Sequence, residues 1–142
     1  MLNLCENVTD TTRKFYINCC NLVNNTRYLR PVYDKELLKK IRENAFAYIH
    51  GHEVGGTNPS LLEALARTNM NLIFDVAYNR EVAGDATIYW TKECGNLAAT
   101  FAKVETLGDD EIARMGVEAK KRIEDCFTWE AIANGYEAEF LK

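Results

Sequence analysis

The sequence predicts an α/β fold in which a mostly parallel sheet carries helices on both faces and ends in a helical C-terminal tail. Short apolar segments alternate with segments of helical period, and from Leu107 onward the pattern is helical only. No internal repeat, low-complexity segment or Pro/Gly-rich linker interrupts the 142 residues. The length therefore fits a single domain, 1–142. Alternation of this kind is typical of parallel strands joined by crossover helices.

Each element has its own signal. Apolar residues that alternate with polar ones, or short apolar runs, predict the strands. Apolar residues at helical spacing predict the helices, with Asp34, Asn58 and Thr128 placed as N-caps. The predicted strands are residues 2–8, 26–31, 45–51, 71–76 and 86–90, and the predicted helices are residues 11–23, 34–44, 59–68, 95–104, one through 112–123 and one through 129–140.

Two apolar stripes should bury the helical tail, and both tryptophans, Trp90 and Trp129, are expected in the core. The stripe of the first tail helix consists of Ile112, Met115, Gly116, Ala119 and Ile123. The stripe of the last helix consists of Trp129, Ile132, Ala133, Tyr136 and Phe140.

Composition excludes several classes of function. The net charge of −4 argues against a nucleic-acid surface, which needs clustered Lys and Arg. No apolar run reaches the roughly 20 residues of a membrane span, and "MLNLC" is too short for a signal peptide. The five cysteines form no CxxC pair. We therefore expect reduced thiols in a cytosolic protein.

The stretch "YIHGHEVGGTNPSLLEALA", residues 48–66, carries the most chemical information. A predicted strand delivers the chain to the carboxyl edge of the sheet, where such folds bind ligands. Gly51, Gly55 and Gly56 would let the backbone turn with positive φ and approach a ligand closely. Behind the Asn58 cap, the free N–H groups of Ser60 and Leu61 would point out of the helix start and favour an anion, for which a diphosphate is the natural candidate.

Glu63 lies one helical turn past Pro59. A carboxylate repels phosphate, but one turn from a diphosphate site it suits the two hydroxyls of a ribose. Local physics thus favours a nucleoside diphosphate. The alternative remains open that the loop is an ordinary strand-to-helix turn, which many doubly wound folds contain, and that Glu63 is a solvated helix acid.

Other polar residues of this region have competing interpretations. His50, His52 and Glu53 could suggest a metal site, but no Cys or third His is near. A neutral His that is hydrogen-bonded in the loop or that touches the ligand is favoured. Asp75 ends a predicted strand at the ligand edge and could contact substrate or cap the turn to Asn79. No catalytic nucleophile is recognisable.

The same stretch resembles the C-terminal, Rossmann-like half of GT-B glycosyltransferases of the retaining family 4, closest to its rhamnosyltransferase branch. The similarity covers nearly the whole chain. It includes "PVYDKELLKKIRENAFAYIHGHEVGGTNPSLLEAL", "FDVAYNREVAGDATIYW" and the tail "FTWEAIANGYEAEFL".

The resemblance implies a site for a nucleoside-diphosphate sugar, without a metal or other cofactor. Glu63 matches the second acid of the family's Glu-x7-Glu pair and would bind the ribose. Gly55 stands at the first acid's position in ungapped register, and Glu53 lies two residues earlier. The segment 79–82 matches the family's next loop, beside the donor sugar. The implied donor-binding residues are His52, Gly55, Gly56, Thr57, Asn58, Ser60, Glu63, Asn79 and Glu81.

The resemblance also implies what this chain lacks: the domain's first strand and helix and the N-terminal acceptor domain. We therefore expect weak nucleoside-diphosphate binding, no sugar transfer by residues 1–142 alone, and self-association through strand 2–8 or the last helix. The implied parent enzyme transfers a sugar, rhamnose in this branch, to a bacterial surface glycan or lipid-linked acceptor. It would work in the cytoplasm or at the inner face of the membrane.

Two other classes stay open. A non-catalytic nucleotide-sugar binding or assembly module would use the same loop without transferring the sugar. A nucleotide-dependent oxidoreductase is weaker, because GxGxxG is absent.

Overall fold

The computed structural model describes residues 3–4, 27–28 and 31–142 of the chain. The chain divides into two compact units, Met1–Lys40 and Ile41–Lys142. In the first unit, strand β1 (Asn3–Leu4) pairs in parallel with strand β2 (Arg27–Tyr28). Strands were predicted at both places. The helix predicted at residues 11–23 lies outside the described residues.

Helix α1 spans Lys35–Glu43 and confirms the helix predicted at 34–44. The predicted cap is present: Asp34 Oδ1 accepts hydrogen bonds from the backbone N–H groups of Glu36, at 2.9 Å, and Leu37, at 3.1 Å. These bonds satisfy N–H groups that have no partner within the helix. A purely local signal therefore determines where this helix begins.

The second unit contains a three-stranded parallel sheet of β3 (Tyr48–His50), β4 (Asn71–Phe74) and β5 (Ile88–Trp90), in the order β3-β4-β5. Tyr48 pairs with Asn71, and Leu72 pairs with Ile88. The predicted parallel sheet is thus confirmed for these strands.

Helices connect the parallel strands, as parallel pairing requires. Helix α2 (Pro59–Leu65) joins β3 to β4, and helix α3 (Ala77–Ala83) joins β4 to β5. The sequence interpretation contained no α3, because it placed a loop at 79–82 and let two strands follow each other directly. That interpretation was wrong. The seven-residue α3 has no side-chain cap at Val76, so the usual start signal is missing.

Three helices follow the sheet, as predicted: α4 (Asn96–Val104), α5 (Asp109–Cys126) and α6 (Trp129–Phe140). The hydroxyl of Thr128 accepts a hydrogen bond from the N–H of Ala131 at 3.1 Å, which confirms the predicted cap of α6. Among the described residues, none of the helices combines the length and the apolar character needed to cross a lipid bilayer.

The core lies on both faces of the sheet, and all four residues of the central strand β4 are buried. Ile73 belongs to one apolar cluster and Leu72 to the other, so successive residues of β4 point to opposite faces, as in any strand. The first cluster draws on α2, α3 and α5, and the second on α4 and α5. The buried members of the first cluster are Leu61, Leu65, Ile73, Val82, Ala83, Ala86 and Ala119. Those of the second cluster are Met70, Leu72, Val104 and Met115.

The two predicted tail stripes behave differently. In α5 the stripe is confirmed, because Met115, Gly116 and Ala119 are buried and the two isoleucines pack against the core clusters. In α6 the expected burial was wrong, since no residue of that helix is buried. Trp90 packs against the second cluster, whereas Trp129 is 85% exposed and outside the core.

Candidate nucleotide-sugar site

A cleft of about 200 Å³ lies at the carboxyl ends of β3 and β4. The loop that follows β3 forms one wall, and the start of α3 forms the other. The residues lining it are His52, Glu53, Val54, Gly55, Gly56, Thr57, Asn58, Pro59, Val76, Tyr78 and Asn79. The cleft therefore occupies the edge of the sheet at which the sequence predicted a ligand.

The glycines of the loop leave the cleft open. Gly55 has φ +131°, a conformation that favours glycine, and a Cβ at Gly55 or Gly56 would meet nothing within 4 Å. The prediction of positive φ was wrong for Gly51 and Gly56, which lie outside that region. Open space beside the backbone at both lining glycines is nevertheless what close approach of a ligand needs.

The start of α2 is capped by its own loop, which corrects one part of the sequence interpretation. Asn58 Oδ1 accepts a hydrogen bond from the Ser60 N–H at 2.9 Å, and the Asn58 carbonyl accepts one from the Leu61 N–H at 3.0 Å. Both N–H groups had been predicted to point freely at a ligand. Because the cap engages them, an anion in the cleft must be recognised by other groups.

Asn79 joins the two walls of the cleft. Its side chain, only 4% exposed, donates from Nδ2 to the carbonyls of His52, at 3.0 Å, and Phe74, at 2.9 Å. It comes from α3 and not from a loop. Asn79 therefore fixes the loop after β3 against the end of β4, and it also lines the cleft.

His50, the last residue of β3, does not line the cleft and is neutral near physiological pH. Its side chain is buried, and its ring is stacked between those of Tyr48 and His52, with centroid distances of 5.9 and 5.7 Å. Burial, reinforced by the nearby His52, lowers the pKa of His50 from 6.5 to about 4. The Tyr48 hydroxyl lies 3.2 Å from His50 Nδ1. This agrees with the prediction of a neutral, hydrogen-bonded His.

A metal centre has no structural support in the described part of the chain. Among those residues, no three His, Cys, Asp or Glu side chains form a group that could hold a metal ion. Burial of His50 also removes it from any shared site with the exposed His52 and Glu53.

Glu63 does not line the cleft. Its carboxylate oxygen Oε2 forms a salt bridge with Arg42 Nη1. The side chain of Arg42 is 12% exposed and that of Glu63 is 57% exposed. The predicted ribose acid therefore lies on the open side of α2, where a mostly buried guanidinium orients it.

Two further salt bridges stand at the carboxyl edge of the sheet. Arg80 forms a bidentate salt bridge with Asp75, in which Nε donates to Oδ1 at 2.5 Å and Nη2 donates to Oδ2 at 2.7 Å. These hydrogen bonds keep the pKa of Asp75 below its ordinary range. On the other side of β4, Lys92 forms a salt bridge with Glu53. Sequence reasoning missed Lys92, because nothing local marks an exposed lysine 39 positions from its partner.

Six of the nine predicted donor-binding residues therefore line one cleft. They are His52, Gly55, Gly56, Thr57, Asn58 and Asn79. Ser60, Glu63 and Glu81 do not line it. Ser60 and Glu63 are on α2, whereas the exposed Glu81 is on α3, where its carbonyl accepts a hydrogen bond from Arg122 Nη2 at 2.6 Å.

Comparison of the chain with protein-family models, with curated proteins and with solved structures found no match.

Proposed function

We propose that this chain is the donor-binding part of a GT-B glycosyltransferase and that its cleft takes the diphosphate and part of the sugar of a nucleoside-diphosphate sugar. The observation that carries the proposal is the convergence of six predicted donor-binding residues on one cleft at the carboxyl edge of a parallel sheet. Ligands of open α/β sheets bind at this edge. The motif resemblance described above supplies the class of ligand.

The size and lining of the cleft support a site for part of the ligand, with the nucleoside outside the cleft. Its volume of about 200 Å³ is below the roughly 300–1,000 Å³ of typical small-molecule pockets. Exposed glycine backbone, the Thr57 hydroxyl and the Asn79 amide offer polar groups of the kind that orient a ligand. The nucleoside would extend out of the cleft along α2, where the exposed carboxylate of Glu63 would accept hydrogen bonds from the ribose hydroxyls.

The reaction of the whole enzyme would be retaining transfer of a sugar, rhamnose by resemblance, to a bacterial surface glycan. The leaving diphosphate takes the acceptor's proton in that mechanism. The protein's contribution would then be orientation of the donor and stabilisation of the charge on the diphosphate. No metal or other cofactor is part of this proposal.

A matched pair of glycine variants tests the proposal. Isothermal titration calorimetry would measure binding of UDP, GDP and TDP to the wild-type chain, to Gly56→Asp and to Gly108→Asp. Both glycines have open space at the Cβ position, but only Gly56 lines the cleft, and Gly108 is the N-cap of α5, where Asp is favourable. We expect weak binding that Gly56→Asp abolishes by like-charge repulsion and Gly108→Asp preserves. No binding to the wild-type chain, or equal binding to both variants, would overturn the proposal.

A second measurement addresses the sugar. A thermal-shift screen of nucleoside-diphosphate sugars should give a larger stabilisation for deoxyhexose donors than for the matching nucleoside diphosphate alone. At equal ligand concentration, the stabilisation of the folded state rises with the logarithm of the affinity. Equal shifts for all sugars and for the bare diphosphate would contradict a sugar contact in the cleft.

A further inference from the structure

The edge of the cleft carries a salt bridge between two loops that leave neighbouring positions of the sheet. Glu53 follows β3 and lines the cleft, and Lys92 follows β5. Lys92 Nζ bonds to Glu53 Oε2 and also lies 5.3 Å from the centre of the Phe74 ring, at the end of β4. Lys92 thus reaches across the end of the central strand to the acid in the cleft wall.

The charges of the cleft create a difficulty for a diphosphate. Among the described residues that line it, Glu53 is the one carboxylate, and none is Lys or Arg. With the helix-start N–H groups engaged by Asn58, an incoming diphosphate would face a like charge and no formal positive charge in the lining itself. Binding therefore needs a cation from the rim.

Arg80 and Lys92, the cations of the two salt bridges described above at the carboxyl edge of the sheet, differ in how firmly they are held. Arg80 contacts Asp75 through two nitrogen atoms and also lies 4.4 Å from the centre of the Tyr89 ring. A planar, doubly bonded guanidinium is costly to redirect. Lys92 has a flexible stem, its side chain is 62% exposed, and its partner Glu53 is 53% exposed. Exposed pairs of this kind are weak and exchange readily.

We propose that Lys92 is the phosphate-binding cation of this cleft, an inference that rests on the proposed function. Glu53 holds Lys92 at the rim until a diphosphate takes the place of the carboxylate. Binding then separates the Glu53–Lys92 pair. The lysine ammonium swings from Glu53 to the phosphate oxygens, and the freed carboxylate turns to solvent. The diphosphate then lies closer to a positive charge and farther from the carboxylate, although none of the described lining residues is Lys or Arg.

Four proteins test the exchange by calorimetry with inorganic pyrophosphate and with UDP, GDP and TDP: the wild-type chain, Lys92→Gln, Glu53→Gln and the double variant. Lys92→Gln should weaken binding about five- to thirtyfold, because a charge-assisted hydrogen bond is lost at a partly exposed site. Glu53→Gln should strengthen binding about two- to fivefold, since the lysine no longer has to leave a carboxylate. The gain from Glu53→Gln should shrink below about twofold once Lys92 is replaced, because coupled residues are not additive.

The control is a second exposed pair, neither member of which lines the cleft. Arg114 and Glu118, one turn apart on α5, form a salt bridge of similar exposure. Arg114→Gln and Glu118→Gln should leave the affinities for pyrophosphate and for all three nucleoside diphosphates within about twofold of the wild-type chain.

The outcomes separate this inference from the proposed function. Binding by the wild-type chain that Lys92→Gln leaves unchanged overturns the role of Lys92 and leaves the proposed function standing. Fully additive effects of the two substitutions overturn the exchange between Glu53 and phosphate. Absence of binding in all four proteins overturns the proposed function and this inference with it.

Discussion

Arg42 and Glu63 join the end of α1 to the middle of α2, although 21 positions separate them in the chain. The guanidinium of Arg42 is largely shielded from solvent, whereas more than half of the Glu63 side chain is exposed. A buried charge needs a partner, so the contact orients Glu63 while leaving it open to a ligand. Arg42 is therefore a positioning residue for the carboxylate that we propose as the ribose-binding group.

Glu63→Gln should weaken binding of a nucleoside diphosphate about ten- to a hundredfold, because charge-assisted hydrogen bonds are worth roughly 1.5–3 kcal/mol. The same change should leave the affinity for inorganic pyrophosphate, which has no ribose, nearly unchanged. Calorimetry on both ligands measures the difference, with Glu118→Gln as the control. Glu53→Gln should not produce this loss. Equal weakening of both ligands by Glu63→Gln would assign Glu63 a structural role through Arg42 instead.

Gly116→Ala and Gly135→Ala should change the free energy of unfolding in opposite directions. A Cβ at Gly116 would lie 2.8 Å from the Asn69 Cα, so the substitution forces backbone apart and should cost about 1–3 kcal/mol. A Cβ at Gly135, inside α6, meets nothing within 4 Å, and alanine there should contribute about 0.5–1 kcal/mol. Urea unfolding monitored by circular dichroism provides both values. A neutral Gly116→Ala would show that α5 does not approach Asn69 this closely.

His50 should make the chain less stable in mild acid. The folded-state pKa of His50, about 4, lies below the ordinary value of 6.5, so the unfolded chain binds a proton more readily than the folded one. The contribution of neutral His50 to the free energy of unfolding is fully present above pH 6.5. It is lost as the pH falls from 6.5 toward 4, by about 2–3 kcal/mol in total.

Chemical unfolding of the wild-type chain and of His50→Gln at several pH values between 4 and 7.5 measures this contribution. The free energy of unfolding of His50→Gln should lack this part of the acid-induced loss. The exposed His52→Gln variant should keep most of it, because burial is the larger cause of the lowered pKa of His50 and His52 the smaller one. Identical pH profiles for the wild-type chain and His50→Gln would contradict a buried neutral imidazole.

The last helix should promote self-association. Its exposed aromatic side chains include Trp129, Tyr136 and Phe140, and the rings of the last two are stacked at 6.5 Å. Contiguous bare apolar surface marks association sites, and a net charge of −4 is small for a chain of this length. We expect a dimer or larger species whose population rises with concentration.

Light scattering across a concentration series tests that expectation on the wild-type chain, on Trp129→Glu and on Val117→Glu. Val117 is also exposed but lies on α5, so its substitution controls for added charge. Trp129→Glu should lower the apparent mass and Val117→Glu should not. A monomeric mass at every concentration would show that the aromatic residues of α6 do not mediate association.

Local chemistry determined the parts of the fold that were correctly predicted. Asp34, Asn58 and Thr128 cap helices within three residues of themselves, so their effect can be read without knowing any other part of the chain. The same holds for the strand β4, which a short apolar run predicts, and for the glycine loop that opens the cleft. Five of the six predicted donor-binding residues in the cleft belong to that loop, whereas Asn79 reaches the cleft on α3, which the sequence did not predict.

Helix α3 escaped prediction because its stabilising contacts are not local. Its residues 77–83 have no side-chain cap, and the helix is only two turns long, too short to be stable by itself. It is held by Val82 and Ala83 in the core and by two hydrogen bonds from Arg122, one to the Val82 carbonyl 40 positions away and one to the Glu81 carbonyl. A helix that is stabilised by residues distant in the chain has few recognisable start or end signals in its own sequence.

The class of fold, the helix caps and the open loop follow from the sequence, because each depends on residues that are neighbours in the chain. Which charges meet depends on tertiary packing. Glu63 pairs with Arg42 and Glu53 pairs with Lys92 over 21 and 39 positions, and α6 stays uncovered although its apolar spacing predicts burial. Pairing and burial depend on which elements pack side by side, and residue periodicity specifies a helix face without specifying its partner.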